Sequence, residues 1–591
     1  MTNNTKRNYV GIANSFHDPA IAIVNSAGEV VYAEATERYL QNKRAINNPP
    51  DQFDWTAKLL ESHAEPGAEL VLAQSWSEHV HTNLRDDERA AKFDQFISGT
   101  GKQALPDILL DQYNFSRFCR GSAAAYIDLS MTNLTFCLSQ TARWRYAPAP
   151  LLLKFDHHLT HAATACLTSP FDEAACAVID GYGEKSSYGS YMYRDGQIQP
   201  LFVQSHPDST SLGFFFMTLC KLCGFGLFQG EEWKVMGLAA YGSVDPEIDA
   251  LLRSLIRVEG LHIIQDSFAT SYRTYRELMR YQRRPGDPSI AMANLAHTGQ
   301  KVFEDVIYSY LRNLQQITGM ANVALGGGCL LNSSANGGIT ENTGFRQAYV
   351  ASAPADDGNA IGAALLAYQL DHPVERRRIA FQSPYLGSRV SPATLNHLLE
   401  HGGFAASKRY SEGPWDRASH LLAEGKIIGW VQGCAEFGPR ALGNRSILAD
   451  PRFPQVKDRI NIGVKRREEF RPFAPSILHE FGDEYFENYQ ESPYMERTLK
   501  LRPETVMRVL GVAHVDRTAR LQTVKKEWND SYHKLITAFY QRTGVPVLLN
   551  TSFNVMGKPI IHSIEDAIAV FCTSGLDALV IEDVIIEKQN H

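Results

Sequence analysis

The stretch Tyr9-Val10-Gly11-Ile12-Ala13-Asn14-Ser15-Phe16-His17-Asp18-Pro19-Ala20-Ile21-Ala22-Ile23-Val24 decides the fold class. Two apolar runs of strand length flank a polar tip rich in turn-forming residues. A third run, Val30-Val31-Tyr32-Ala33-Glu34-Ala35, follows the turn Asn25-Ser26-Ala27-Gly28. The chain therefore opens as strands joined by tight turns. His17 at the tip is a candidate base, or simply a turn residue.

A second unit of the same kind lies further on. The strand Ala174-Ala175-Cys176-Ala177-Val178-Ile179 ends in the acidic turn Asp180-Gly181-Tyr182-Gly183-Glu184, and Ser186 to Tyr193 form the returning strand. Two strand–turn–strand units suggest a duplicated α/β fold with a cleft between its halves. Actin-like and sugar-kinase-like ATPase folds use such polar tips to bring backbone N–H groups to a phosphate.

Just before the second unit comes Phe155-Asp156-His157-His158-Leu159-Thr160-His161-Ala162-Ala163-Thr164-Ala165, a helix-forming segment. His157 and His161 are four apart and share one helix face. Two neutral imidazoles at that spacing can hold one side of a divalent ion. Asp180 at a strand end, and Asp356 or Asp357 ahead of an Ala/Gly-rich helix, can add carboxylates. A histidine pair alone is as compatible with capping or hydrogen bonding; the placed acids favour metal. His158 points elsewhere.

The 591 residues exceed one core, so several domains are expected. A net charge of -7 and a pI near 6.3 give no basic footprint for nucleic acid. No signal-like segment or membrane span is evident, so a cytoplasmic protein is expected. The nine cysteines form no framework, and Cys220-Lys221-Leu222-Cys223 reads as core.

Further along, Glu37 to Arg44 is a charged run, and Glu232 and Lys234 stand in a segment mixing acid, base and glycine. Gly326-Gly327-Gly328 ends a strand before Asn332, a loop through which backbone amides can approach an anion. It has neither the Walker A nor the GxGxxG spacing. A linker near residues 370 to 390 divides the chain, giving domains 1–378 and 385–591. Beyond it, arginines crowd into turns around Arg440, Arg445, Lys465, Arg467 and Arg517, and a strand ends in Ser552 and Asn554. Guanidinium forks on turns suit phosphate recognition, although surface ion pairs use the same residues.

The motifs Phe16-His17-Asp18, Glu37-Arg38 through Lys43, His157-x-x-x-His161, Asp180-Gly181, Gly326-Gly327-Gly328, Asp356-Asp357-Gly358, Gly438-Pro439-Arg440-Ala441-Leu442-Gly443-x-Arg445-Ser446, Lys465-x-Arg467 and Ser552-x-Asn554 occur in order. In them the sequence resembles the NodU/TobZ-like O-carbamoyltransferases. That resemblance implies an N-terminal ASKHA or Kae1-like, actin-like duplicated domain followed by a C-terminal YrdC-like α/β domain. It implies that the second domain makes carbamoyl-adenylate from carbamoyl phosphate and ATP with Mg2+, using Lys465, Arg467, Ser552 and Asn554. The first would pass the carbamoyl group to a hydroxyl of a small-molecule, natural-product acceptor, with His17 as base and Lys43 assisting. Glu232, Lys234, Gly326, Gly327, Gly328, Asn332, Arg440, Arg445 and Arg517 are then expected at bound substrates. His157, His161, Asp180 and Asp357 are expected to hold Fe(II) or a similar divalent metal, Asp357 being preferred to Asp356 for its offset from the following helix. Arg517 stands where the family commonly carries glycine. A homodimer is allowed, and neither nucleic acid nor a membrane is an expected partner. The same domains could instead serve threonylcarbamoyl-adenosine synthesis on tRNA; a sugar-kinase-like phosphotransferase or a non-catalytic nucleotide-binding module are further alternatives.

Overall fold

The computed structural model describes residues 6–85, 88–102, 105–147, 149–202, 210–226, 229–373, 379–404 and 406–588. The chain divides into two compact units, the first comprising the residues up to Thr36 and Arg44–Gln382, the second Glu37–Lys43 and the residues from Ser383. The expected limit at residue 378 lies outside the described residues. The strap Glu37–Lys43, expected in the first domain, groups with the second unit.

The first unit contains two five-stranded sheets. One is built from β1 (Arg7–Ala13), β2 (Ala20–Val24), β3 (Val30–Ala35), β4 (Glu69–Gln74) and β5 (Leu151–Lys154), in the order β3-β2-β1-β4-β5. β1 runs antiparallel to β2, with Gly11 opposite Ala22, and parallel to β4, with Tyr9 opposite Val71. The other sheet takes β6 (Glu173–Ile179), β7 (Tyr188–Arg194), β8 (Gln197–Phe202), β11 (Asn322–Gly326) and β12 (Gln347–Val350), in the order β12-β11-β6-β7-β8. A small hairpin supplies β9 (Arg257–Glu259) and β10 (His262–Ile264). β6 is antiparallel to β7 and parallel to β11. Each sheet is thus a three-strand meander whose first strand is joined on its far side by two parallel strands. The strand–turn–strand repeat legible in the sequence is the meander of each half.

Both faces of β1 are buried, as continuous apolar runs in a covered sheet should be. Val10, Ile12, Ile21, Ile23 and Leu72 share one core cluster, each such side chain contributing about 1.5–3 kcal/mol by burial. Gly11 permits the close approach of helix Asn359–Asp371: a Cβ there would lie 1.8 Å from the Ala360 carbonyl oxygen. Cys220 and Cys223 are buried thiols, with burial raising Cys223 to about 12. Among the described residues no helix is long and apolar enough to cross a membrane.

The second unit is organised on one mixed nine-stranded sheet: β13 (Ser407–Arg409), β14 (Ile428–Val431), β15 (Arg445–Ala449), β16 (Ala474–Leu478), β17 (Arg497–Lys500), β18 (Thr518–Val524), β19 (Val547–Ser552), β20 (Ala578–Ile581) and β21 (Val584–Glu587). Their order is β13-β21-β20-β14-β15-β19-β16-β18-β17. The core includes Trp430, Ile447, Leu548 and Phe553, all fully buried.

Candidate active site

Helix His157–Leu167 begins where the Asp156 carboxylate accepts the Leu159 N–H at 3.0 Å, a side-chain cap on the first turn. The helical repeat then brings the His157 and His161 rings to a centroid distance of 4.9 Å, both buried. Their Nε2 atoms lie 3.6 and 3.8 Å from Asp180 Oδ2 and 3.6 and 3.5 Å from Asp356 Oδ1. No hydrogen bond reaches either Nε2. The four donor atoms all lie within 4.8 Å of one another.

Each carboxylate uses its other oxygen elsewhere. Asp180 Oδ1 accepts the Gly328 N–H at 2.8 Å, and Asp356 Oδ2 accepts the Ser15 hydroxyl at 3.1 Å. Trp76 stacks on His157 at 4.3 Å. The outer atoms are fixed and the inner ones face one another without bonding, the arrangement a shared cation requires. Two imidazoles and two carboxylates suit Fe(II), Mn(II) or Zn(II), so the residues fit a divalent metal. In the metal-free chain burial would lower the His157 imidazolium, but Asp356 and Asp180 outweigh it and raise the group to about 10. Burial would raise both carboxyls, yet the histidines hold Asp180 near 2 and Asp356 well below its ordinary range.

The expected Asp357 is not in this set. Its Oδ1 accepts the N–H of Gly358 within the 3-10 turn Asp356–Gly358, and that turn aims Asp356 at the histidines. His158 is buried away from the donor set, near Ser186 Oγ at 3.4 Å, and burial followed by the charge of His157 pushes it down to about 4.

The hairpin tip of β1 and β2 adjoins this cluster. His17 Nδ1 lies 3.0 Å from Asp18 Oδ2 and 3.7 Å from Asp356 Oδ2. Arg44 grips Asp18 at 2.6 Å and comes within 3.2 Å of His17 Nδ1. Burial opposes the Asp18 charge, but Arg44 and His17 lower it to about 2. The cation at the tip is therefore Arg44. Lys43, expected there, belongs to the second unit.

Gly327 adopts φ +94, and a Cβ there would lie 2.3 Å from the Ile179 carbonyl oxygen, so the loop requires glycine. Gly326 packs beside the His161 backbone. With Gly328 N–H bonded to Asp180, the three-glycine loop braces the His/Asp cluster. Asn332 caps helix Ser333–Gly337 and exchanges hydrogen bonds with Gln300 at 2.9 and 3.0 Å, a structural use of both its side-chain atoms. Lys234 pairs with Glu231 at 2.6 Å and lies over the Phe225 ring; Glu232 begins the same helix.

In the second unit a π-helical turn, Arg459–Lys465, delivers Lys465 to the end of β19. Lys465 Nζ donates to Asn554 Oδ1 at 2.5 Å, to Ser552 Oγ at 3.1 Å and to the Ser552 carbonyl. Arg467 donates to Asn461 Oδ1 at 2.7 Å and stacks on Phe473 at 4.7 Å. Burial, then Arg467, Arg471 and Lys43, holds Lys465 well below the lysine range. Burial and Arg520 do the same to Arg440; burial, Arg471 and Arg520 do so to Arg467. A guanidinium does not give up its proton. These shifts come first from burial and second from neighbouring cations, and a bound polyanion would offset both. Arg471 and Arg520 are members that sequence patterning alone does not distinguish from other arginines.

Two expected members stand apart. Arg445 is buried, and its guanidinium donates to the carbonyls of Gln432, Asn444, Ser388 and Gly433 at 2.8–3.1 Å. It braces the backbone. Arg517 is exposed on a turn at φ +65, and Arg520, three residues on, takes the inward place.

Residues 8–365 match the family described as "Carbamoyltransferase N-terminus" and residues 419–588 match "Carbamoyltransferase C-terminus". The chain belongs to the carbamoyltransferase family. It is 40% identical to the nodulation protein NolNO of Sinorhizobium fredii over 73% of this chain and 64% of that protein. Over the same share of this chain it is 38% identical to NolO of Bradyrhizobium diazoefficiens, covering 79% of it. It is 31% identical to the 3'-hydroxymethylcephem-O-carbamoyltransferase of Amycolatopsis lactamdurans, over 60% of this chain and 64% of that enzyme.

Proposed function

We propose that the protein is an ATP-dependent O-carbamoyltransferase acting in two steps, with a YrdC-like second unit. In that unit water hydrolyses carbamoyl phosphate to carbamate and phosphate, and a carbamate oxygen then attacks Pα of MgATP. Pyrophosphate departs and carbamoyl-adenylate remains. In the first unit the hydroxyl of a small-molecule acceptor attacks the carbamoyl carbon, AMP leaves, and His17 takes the hydroxyl proton. The O-carbamoyltransferase named among the relatives supports a hydroxyl acceptor.

The observation that carries the reading is the crowding of Lys465, Arg440, Arg467, Arg471 and Arg520, which calls for substrates as anionic as ATP and carbamoyl phosphate. Lys465 and Arg467 would neutralise the phosphates, while Ser552 and Asn554 hold the ammonium in place. In the first unit Asp18, itself gripped by Arg44, would accept the Nδ1–H of His17 and so leave Nε2 as the basic nitrogen. His157, His161, Asp180 and Asp356 would hold Fe(II) or a similar divalent ion. That ion supplies positive charge for stabilising developing anionic oxygen.

The test is exchange of labelled pyrophosphate into ATP by the full-length protein, with and without carbamoyl phosphate. Exchange should require carbamoyl phosphate and vanish in Lys465→Ala. A screen of alcohols by mass spectrometry should then yield a carbamate together with AMP. Turnover to ADP without AMP would overturn the proposal.

A further inference from the structure

The strap Glu37–Lys43 comes from the start of the sequence yet groups with the second unit. It is fastened there by Gln41, whose side chain donates to the Ile560 carbonyl at 3.1 Å and whose own carbonyl accepts Lys558 Nζ at 3.4 Å. Within it Arg38 is buried, with its side chain 3% exposed. Arg38 Nη2 donates to the carbonyl of Gly438, Nε lies 3.6 Å from Glu37, and Nη1 is buried without a hydrogen bond.

A neutral donor could satisfy one carbonyl at less cost than a buried guanidinium. Gly438, at φ +109, opens the turn Gly438-Pro439-Arg440, and Arg440 beside Arg520 is one of the crowded cations. Lys43, at the far end of the strap, contributes positive charge that Lys465 feels. The strap therefore brings one cation behind the Arg440 turn and another into the cluster.

We infer that Arg38 is a positioning residue of the second unit's anion site: its hydrogen bond to Gly438 fixes the turn that presents Arg440 to a bound polyanion, so the site is completed by the N-terminal strap. The inference rests on the anion site of the proposed function and adds to it a residue that touches no substrate.

The experiment uses the full-length protein and inorganic pyrophosphate as the probe, titrated calorimetrically, with carbamoyl phosphate-dependent exchange measured in parallel. Arg38→Ala should weaken pyrophosphate binding about ten- to a hundred-fold. KM for ATP should rise by more than kcat falls, while the melting temperature and bound metal stay parental. Arg38→Lys, a point charge without the fork, should restore binding in part. Where Arg38→Ala lowers the melting temperature, Arg38→Lys decides: a folded Lys variant that binds like the parent overturns the positioning role. Arg440→Ala separates the two levels. If it binds pyrophosphate like the parent, the anion site itself is misassigned. If it loses binding while a stable Arg38→Ala keeps it, only the inference about the strap falls.

Discussion

Replacing Asp356 with Asn is the sharpest test of the metal cluster, because Asp356 and Asp357 are neighbours in sequence and only one faces the histidines. Asn keeps the size and the Ser15 contact but removes the charge. At 3.6 Å from His157 Nε2, that charge is worth about 4–5 kcal/mol at an effective dielectric constant of ~20, or roughly three pH units on the imidazole. His157, raised to about 10 in the metal-free chain, should titrate near its ordinary range in Asp356→Asn. The assay is a proton NMR titration of the metal-free protein, paired with metal content after reconstitution with Fe(II) or Zn(II). Asp356→Asn should bind metal at least a hundred-fold more weakly, and Asp357→Asn should bind it almost normally. Retained metal in Asp356→Asn together with loss in Asp357→Asn would refute the assignment.

Protons would compete with a bound metal for His157. Its raised value means that, without metal, its ion pairs stabilise the fold fully below about pH 6.5 and are lost as pH climbs toward 10. Metal needs the neutral ring, so calorimetric affinity should rise across that window, by up to about tenfold per pH unit for each proton released. Arg445→Ala should cost roughly 3–5 kcal/mol through four abandoned carbonyls, seen as a lower urea midpoint; a stable variant deficient only in pyrophosphate binding would return Arg445 to the anion site. His17→Asn should slow single-turnover transfer from preformed carbamoyl-adenylate about 10²–10⁴-fold while pyrophosphate exchange continues. An unchanged transfer rate rules out His17 as the base.

Local periodicity made part of this protein readable from its residues alone. Strand and turn chemistry in 9–35 and 174–193 reveals the repeated meander, since side-chain alternation and turn residues act over a few positions. The four-residue spacing of His157 and His161 places both rings on one face before any tertiary contact is known. Lys465, Ser552 and Asn554 were likewise legible as a motif, though only folding carries the π-helical turn to the end of β19. Tertiary structure alone decided the rest. Asp356 and Asp357 are chemically identical neighbours, separated by which one the 3-10 turn aims at the histidines. Arg445, Arg517 and Arg520 look alike as charges in turns. One is spent on carbonyls, one faces solvent and one stands half-buried beside Arg440, because a guanidinium's role depends on what surrounds its five donors. Lys43 and Arg44 are adjacent, yet the chain passes from one compact unit to the other between them, and no local pattern encodes which long-range contacts a residue makes.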